Sequence, residues 1–131
     1  MSTFDAIGIA GTGVTVARKW MDAVSDNLAN INDATSTDKP AFAAKYVVAS
    51  EAADGKGVQV GGIVTGDTTG RIVNDPTNPL ADADGNVKYP DIDMSTQMTS
   101  LMMAQRAYEA NLQVVGRAKE AYTAALQLGK S

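Results

Sequence analysis

Few residues of this chain are of types that perform chemistry. The 131-residue sequence contains no histidine and no cysteine, which excludes the commonest proton shuttle, the thiol nucleophile and almost every zinc site. Two aspartate pairs and one glycine-rich segment remain as candidates for metal, carboxylate or phosphate chemistry. Because no nucleophile-base pair can be named in the sequence, an enzyme is the least favoured class of function.

The aspartate pairs are better explained by local structure. Asp82 and Asp84 precede Gly85 and are similar to part of a calcium-binding loop, but the twelfth position of that loop would be Asp91 instead of glutamate. We therefore predict a turn there. Asp91 and Asp93 could act as paired carboxylates, yet they stand where a long helix begins, and helix starts favour negative charge and capping side chains. Neither pair is predicted to be catalytic or to bind metal.

The glycine-rich segment contains Gly8, Gly11 and Gly13. It lacks the GxGxxG spacing and does not follow a strand, so phosphate binding is a weak hypothesis. Small residues at this spacing allow close helix packing or segmental flexibility instead. We expect no cofactor.

The charge of the chain argues against a nucleic-acid partner. The formal net charge is −4, and the lysines and arginines do not cluster, whereas binding to phosphates requires basic patches. No motif indicates a small-molecule substrate. The N-terminus also lacks a basic region followed by a continuous apolar segment, so export, if it occurs, is expected without a cleaved signal peptide.

The element that organises the chain is a predicted C-terminal helix from Asp93 to Gly129, with Asp93 as the N-cap and Gly129 as the C′ residue. At about 1.5 Å per residue it would be roughly 55 Å long, which is more than a compact domain of this size needs. Its seam follows three-four spacing and comprises Leu101, Ala104, Tyr108, Asn111, Val115, Ala118, Tyr122 and Ala125, with Leu112 and Leu126 beside it.

A second helix is predicted over residues 3–31, with Ser2 and Asp5 as a capping box. Its three glycines weaken it as an isolated helix. The matching seam comprises Ile7, Ala10, Val14, Ala17, Met21, Val24, Leu28 and Ile31. Two matching seams predict that the helices pack antiparallel within one chain.

Two features of the C-terminal helix suggest contacts beyond the chain. Four methionines, Met94, Met98, Met102 and Met103, form either an adaptable interface or ordinary packing. A buried amide in an apolar seam fixes the register of its partners, so we predict that Asn111 aligns this helix with residues 27–32 or with a neighbouring subunit. The alternative is an exposed Asn111 and a seam rotated towards Leu112.

Between the helices the period changes to that of strands. Residues 46–48 and 58–60 are predicted to form a β-hairpin, and residues 63–64 and 71–73 one or two further short strands. Residues 32–40 are predicted to be a loop or a partly disordered linker, and residues 75–90 an extended connection. The fold class is therefore mainly α, with long terminal helices paired as a coiled-coil-like hairpin and a small β insert between them.

Two blocks of sequence resemble the rod and hook group of bacterial flagellar axial proteins. The first is the asparagine-rich signature at residues 26–32, Asp-Asn-Leu-Ala-Asn-Ile-Asn. The second comprises residues 89–93, 97–98, 104–111 and 126–130, and the Asp-Pro and Ala-Asp-Ala-Asp-Gly segments within residues 75–85 precede it. Within this family the sequence is similar to the proximal rod proteins.

The resemblance implies a structural subunit of the proximal rod of the flagellar basal body. Residues 1–32, an N-terminal helical arm, and residues 91–131, the C-terminal helix, would together form the inner rod-core domain, with residues 33–90 as a linker and small β-rich outer insert. Such subunits pack by their helices into a hollow, periplasm-spanning drive shaft, which transmits torque and leaves a channel for exported subunits.

The resemblance also implies the partners. They are other copies of the chain, other proximal and distal rod proteins, the rod-to-membrane-ring adaptor and, during secretion, the flagellar type III export apparatus. The predicted assembly interface comprises Ile7, Val14, Met21, Asn27, Leu28, Asn30, Ile31, Met98, Leu101, Tyr108, Asn111, Leu112, Val115, Tyr122 and Leu126.

One other class of function explains the two seams equally well. A soluble helical-hairpin adaptor, or binding module, with a β insert would show the same pattern. The two classes differ in the behaviour of the isolated chain, because an adaptor should fold alone whereas a rod subunit should be largely disordered at its ends.

Overall fold

The two long helices lie at the two ends of the sequence, and the β insert lies between them. The computed structural model describes residues 2–130. The elements in chain order are α1 (Thr3–Ala29), β1 (Lys45–Glu51), β2 (Val58–Thr65), β3 (Arg71–Asn74), β4 (Asn86–Tyr89) and α2 (Met94–Gly129). The predicted mainly helical fold with a small β insert is confirmed.

The start of α1 is set by the predicted capping box. The Ser2 hydroxyl accepts a hydrogen bond from the Asp5 N–H at 3.1 Å, and the Asp5 carboxylate accepts one from the Ser2 N–H at 3.1 Å. These two bonds satisfy N–H groups that the helix itself leaves without partners. The helix ends at Ala29, two residues before the predicted end, and the Asn30 side chain donates to the Asp26 carbonyl oxygen at 2.8 Å.

The two helices pack antiparallel within the chain, as predicted. At one end the rings of Phe4 and Tyr122 lie 4.8 Å apart, and at the other end Asn27 donates to Gln97 at 3.0 Å. The inner face of α1 is built from small and branched residues, and Ala10, Val14, Ala17, Ala23 and Val24 are buried. The three-four seams on both helices are the faces that meet.

The predicted end of α2 is wrong in one detail. Gly129 is the last helical residue and does not have a positive φ, so it is not a left-handed C′ residue. Lys130 is the C-cap instead, and its N–H donates to the Gln127 carbonyl oxygen at 3.2 Å. A hydrogen bond between residues three positions apart closes the last turn without a left-handed residue.

The β insert consists of two antiparallel hairpins. Strands β1 and β2 confirm the first predicted hairpin and extend it, because residues 63–64 continue β2 instead of forming a separate strand. The predicted strand at 71–73 is part of β3, which pairs with β4. The prediction of an extended connection over residues 75–90 missed β4, since Val87 is the one strongly apolar residue among four and the alternation is too short to detect.

The segment predicted as a linker is held against the second hairpin. Thr35 and Lys88 exchange two backbone hydrogen bonds, at 2.8 and 2.9 Å. The Lys88 ammonium donates to the Lys39 carbonyl oxygen at 2.8 Å. Ala41, which follows this segment, is buried, and its N–H donates to the Thr68 carbonyl oxygen at 2.9 Å, so the segment is fixed to the second hairpin and to the chain that leads into it.

The elements are arranged in layers around α1. This helix contacts α2 on one side and the β1–β2 hairpin on the other, whereas within residues 2–130 α2 contacts α1 and none of the strands. The hairpin approaches α1 closely at Gly57, whose φ is 103° and where a Cβ atom would overlap the Thr12 hydroxyl. Helix α1 is therefore the central element of the subunit, and α2 is covered by the rest of the chain on one side only.

Candidate assembly interface

The side chain of Asn27 joins three segments of the chain. Its amide nitrogen donates to the Lys45 carbonyl oxygen at 2.9 Å and to Gln97 Oε1 at 3.0 Å, and its amide oxygen accepts from the Lys45 N–H at 2.7 Å. Asn27 is 1% exposed and Gln97 4%. The end of α1, the start of β1 and the first turn of α2 thus meet at one buried amide.

The other asparagine of the signature has a more local role. Asn30 donates to the carbonyl oxygen of Asp26 and, at 3.3 Å, to its carboxylate. Ile31 is buried and Leu28 half-buried beside it. The signature therefore ends the helix and anchors the start of the segment that leads to β1.

Two ion pairs hold the first hairpin on α1. Lys45 contacts the Asp26 carboxylate at 2.5 Å at the base of the hairpin, and Lys56 contacts the Asp5 carboxylate at 3.3 Å near its tip. Both pairs are partly exposed, so each contributes little to stability by itself. Their positions at opposite ends of α1 align the hairpin along the helix.

The structure corrects the predicted contact of Asn111 with residues 27–32. Asn111 lies opposite Gly13, where a Cβ atom would come within 2.6 Å of the Asn111 amide oxygen. Its amide nitrogen donates to the Ala107 carbonyl oxygen of its own helix at 2.8 Å. The antiparallel arrangement places residues 27–32 beside the start of α2, so Gln97 takes the position predicted for Asn111. Alignment with a neighbouring subunit stays a prediction.

Helix α2 exposes many large apolar side chains, and they are most dense in its first ten residues, 94–103. This 36-residue helix buries only Gln97 and Ala104. Met98 is 45% exposed and Met103 55%. The other large apolar side chains that α2 exposes include Met94, Met102, Leu112, Val114 and Leu126. A surface helix of a monomer normally presents polar residues on this side, and contiguous apolar patches mark interaction sites.

The predicted assembly residues divide between the inside and the outside of the chain. Three are exposed, namely Met98, Leu112 and Leu126. Val14, Asn27 and Ile31 are buried. The remaining nine are half-buried: Ile7, Met21, Leu28, Asn30, Leu101, Tyr108, Asn111, Val115 and Tyr122. Most of the predicted set therefore lines the contact between α1 and α2 or the end of α1, and the participation of the set in assembly stays a prediction.

A second exposed apolar surface, on the first hairpin, was not predicted from the sequence. Tyr46 pairs across the strands with Val64, and Val48 follows on the same face of β1. All three side chains are about half exposed. The period-two spacing of Tyr46 and Val48 is the signal that could have identified this face.

The acidic groups serve as caps and turns. The Thr96 hydroxyl and N–H donate to Asp93 at 2.6 and 2.8 Å, and these bonds lower the pKa of Asp93. Hydrogen bonding from the Asn86 N–H, assisted by the Thr37 hydroxyl, lowers the pKa of Asp82. The Asp84 N–H also donates to Asp82, and Gly85 has a φ of 79°, so the predicted turn is confirmed.

The described residues, 2–130, were predicted to hold no metal, and two kinds of site can be compared with the structure. Within residues 2–130 no three acidic, histidine or cysteine side chains are grouped closely enough to hold a metal ion. None of the described helices is long and apolar enough to span a membrane. A cavity of about 350 Å³ between α1 and the first hairpin is lined by Lys19, Asp22, Ala23, Asp26, Lys45 and Ile63, and its Lys45 is already paired with Asp26.

Sequence comparison identifies the family to which these features belong. Residues 83–128, which include β4 and almost all of α2, match the family model described as the C-terminal domain of flagellar basal body rod FlgEFG proteins. Over 99% of its length the chain is 34% identical to the flagellar basal-body rod protein FlgC of Salmonella typhimurium, and the match covers 100% of that protein. The chain belongs to the FlgC family of flagellar basal-body rod proteins.

The FlgC relationship extends to further bacterial relatives. FlgC of Bacillus subtilis is 29% identical, with 99% of this chain and 100% of the relative covered. FlgC of Aquifex aeolicus is 30% identical, with 93% of each chain covered. The predicted membership of the rod and hook group is thereby confirmed, and the FlgC match includes both helices and the two hairpins between them.

Proposed function

We propose that this FlgC family member is a structural subunit of the proximal rod, which polymerises by helix packing into a hollow drive shaft and performs no catalysis. The observation that carries the proposal is the outward face of α2, which exposes apolar side chains along a helix that the chain covers on one side only. In a helical assembly this face would be buried against neighbouring helices. Each contact is weak, but its repetition in every subunit gives a stiff shaft.

The layers of the chain suggest how it would lie in the rod. Residues 1–32 and 91–131 would form the inner rod core, and residues 33–90 the outer insert. Within residues 2–130 helix α2 contacts α1 and none of the strands, whereas the first hairpin contacts α1, which supports an inner helical layer and an outer β layer. The torque path would then run through α2 and its neighbours towards the hook.

The expected partners are other copies of the chain, the other proximal and distal rod proteins and the rod-to-membrane-ring adaptor. Before assembly the subunit would pass through the flagellar type III export apparatus in an unfolded form. The glycines of α1 support this route, because Gly8 and Gly11 have no contact that a side chain would disturb and each lowers the intrinsic helix stability by about 1 kcal/mol relative to alanine.

A charge on the outward face of α2 tests the proposal. Met98→Glu should leave the helical content of the dilute chain unchanged, because Met98 is already half exposed, but should abolish rod assembly and motility by placing a charge in an apolar contact. Gln113→Glu is the matched control, since Gln113 is exposed among the polar residues Arg117 and Glu120. Normal rods and normal swimming with Met98→Glu would contradict the proposal.

A further inference from the structure

The apolar seam between α1 and α2 discriminates poorly between alternative alignments. On α1 the buried residues Ala10 and Ala17 are separated by seven positions, and on α2 the small residues Ala104 and Ala118 are each seven positions from Asn111. Sliding α2 by seven residues, about two turns, would bring Ala104 or Ala118 to the position of Asn111, so that small side chains would again meet small ones. Apolar burial is not directional, so this part of the contact has only a weak preference for one register.

The hydrogen bond between Asn27 and Gln97, in contrast, forms in one register only. Both amides are nearly inaccessible to water, and the bond between them joins residues 70 positions apart in the sequence. A shift of α2 by two turns would separate the Gln97 amide oxygen from its donor, Asn27. A buried polar group without a partner is destabilising by more than an ordinary hydrogen bond is stabilising.

Asn27 is also fixed from its other side. Its amide exchanges two hydrogen bonds with the backbone of Lys45, and the Lys45 side chain is paired with Asp26. The amide therefore cannot turn to follow a displaced Gln97 without breaking its contact with β1. Asn27 is a rigid reference point on α1, and Gln97 is its partner in the first turn of α2.

We infer that the bond between Asn27 and Gln97 fixes the axial register of α2 on α1, and with it the position of the outward face of α2 relative to the first hairpin. A single buried polar contact is known to specify register in helical pairs at some expense of stability. Asn27 and Gln97 are thus positioning residues. The consequence for the rod rests on the proposed function, whereas the register itself is a property of one chain.

Disulfide trapping in a chain without natural cysteines tests this inference directly. The native register is reported by Gly13→Cys with Asn111→Cys, because a Cβ atom at Gly13 lies 2.7 Å from the Asn111 Cγ atom, which places the two Cβ atoms within reach of the roughly 3.5–4.5 Å required for a disulfide. Registers displaced by two turns are reported by Gly13→Cys with Ala104→Cys or with Ala118→Cys. Each pair is oxidised in the dilute full-length chain and quantified by mass spectrometry.

Gln97→Met removes the hydrogen bond and retains an unbranched side chain of similar length. We expect the ratio of native to displaced disulfide to fall about three- to tenfold, the range that one net hydrogen bond represents, with no change for the exposed control Gln113→Met. An unchanged ratio in Gln97→Met would overturn the inference and assign the register to packing. Because the dilute chain is measured, this outcome is independent of whether the protein forms a rod.

A second variant covers the case in which Gln97→Met fails to fold. Gln97→Glu keeps an acceptor oxygen for the Asn27 amide, and when its carboxyl is protonated it does so without burying a charge. If the bond sets the register, Gln97→Glu restores the native disulfide to a larger fraction than Gln97→Met at about pH 4, where burial favours the protonated carboxyl. Equal loss of the native disulfide in both variants would also overturn the inference.

Discussion

The two long helices look alike in sequence but occupy different environments. Helix α1 has 27 residues and buries six of them, between α2 on one side and the first hairpin on the other. Helix α2 has 36 residues and buries two. The longer helix is the less buried one, although both carry the same three-four seam.

Because of this difference, the residues that stabilise the single chain are distinct from the apolar residues that stay exposed on α2. The seam of α2 is used within the chain, whereas its large apolar residues outside the seam, such as Met103 and Val114, face outward. The polar contacts are also concentrated on α1, where Asn27, Asp26, Thr12 and Asp5 bind other segments. Helix α1 thus behaves as the core of the subunit and α2 as its outer surface.

The largest expected effect comes from placing the same charge on each helix. Ala17→Glu would bury an unpaired carboxylate where the side chain is fully enclosed, and we expect the free energy of unfolding to fall by more than about 3 kcal/mol. Ala110→Glu, at an exposed position of α2, should change it by less than about 0.5 kcal/mol. Chemical denaturation of the two variants measures both values, and equal destabilisation would remove the distinction between the helices.

The next effect concerns the two amides that face the helix contact. Asn27→Ala removes three hydrogen bonds and leaves the Lys45 N–H and Gln97 without partners, so we expect a loss of about 2–4 kcal/mol. Asn111→Ala removes one bond to its own helix and should have an effect below about 1 kcal/mol. Thermal unfolding followed by circular dichroism compares them, and a larger effect of Asn111→Ala would contradict the central role of Asn27.

Substitutions of two glycines of α1, Gly11 and Gly13, are expected to have smaller effects on stability and to differ from each other. A Cβ atom added at Gly11 would meet nothing within 4 Å beyond the helix backbone around it, so Gly11→Ala should stabilise the chain by up to about 1 kcal/mol through helix propensity. At Gly13 the added Cβ would lie 2.6 Å from the Asn111 amide oxygen, so Gly13→Ala should give no such gain. Combining Gly13→Ala with Asn111→Ala should restore the gain, and a stabilising effect of Gly13→Ala alone would show that the helices are less closely packed there.

The smallest effect is the response of the N-terminus of α2 to acid. The pKa of Asp93 in the folded chain is lowered from 3.8 by the hydrogen bonds of Thr96, so the cap stabilises the helix above about pH 3.8 and this contribution is lost as the pH falls through the lowered pKa. Asn is an equally good cap that does not titrate. Helical content should therefore fall less between about pH 4 and pH 2 in Asp93→Asn than in the parent, and identical profiles would remove this role.

Much of this arrangement follows from local patterns in the sequence. The three-four spacing extends over many turns in each helix, so the inner faces of α1 and α2 were predictable, as were the caps at Ser2 and Asp93. Strand β4 was not, because a four-residue strand with one strongly apolar residue carries almost no periodic signal. The contact of Asn27 with Gln97 was missed as well, since periodicity identifies the face of a helix but not which residues on two distant helices lie at the same height.

The exposed face of α2 also could not be derived from the seam alone. Its methionines fit either internal packing or an interface by spacing, and only the absence of contacts between α2 and the strands, within residues 2–130, shows that they remain outside. Likewise, the exposed pair Tyr46 and Val64 depends on which side of the hairpin α1 covers. Which of these faces is covered depends on the tertiary contacts of the whole chain and not on local sequence patterns.

The most direct test of the central claim is cysteine labelling at matched positions of the two helices, in the dilute chain and in isolated basal bodies. Cysteines introduced as Met98→Cys and Met103→Cys on the outward face of α2 should react rapidly in the dilute chain and become protected in the basal body. Ala17→Cys on α1, which is buried within the folded chain, should react slowly in both. This result requires α1 and α2 to stay paired in the dilute chain, in contrast to the disordered ends expected of a rod subunit from the sequence. Equal reactivity of the α2 positions in the two samples would contradict the claim that α2 supplies the surface on which the rod is assembled.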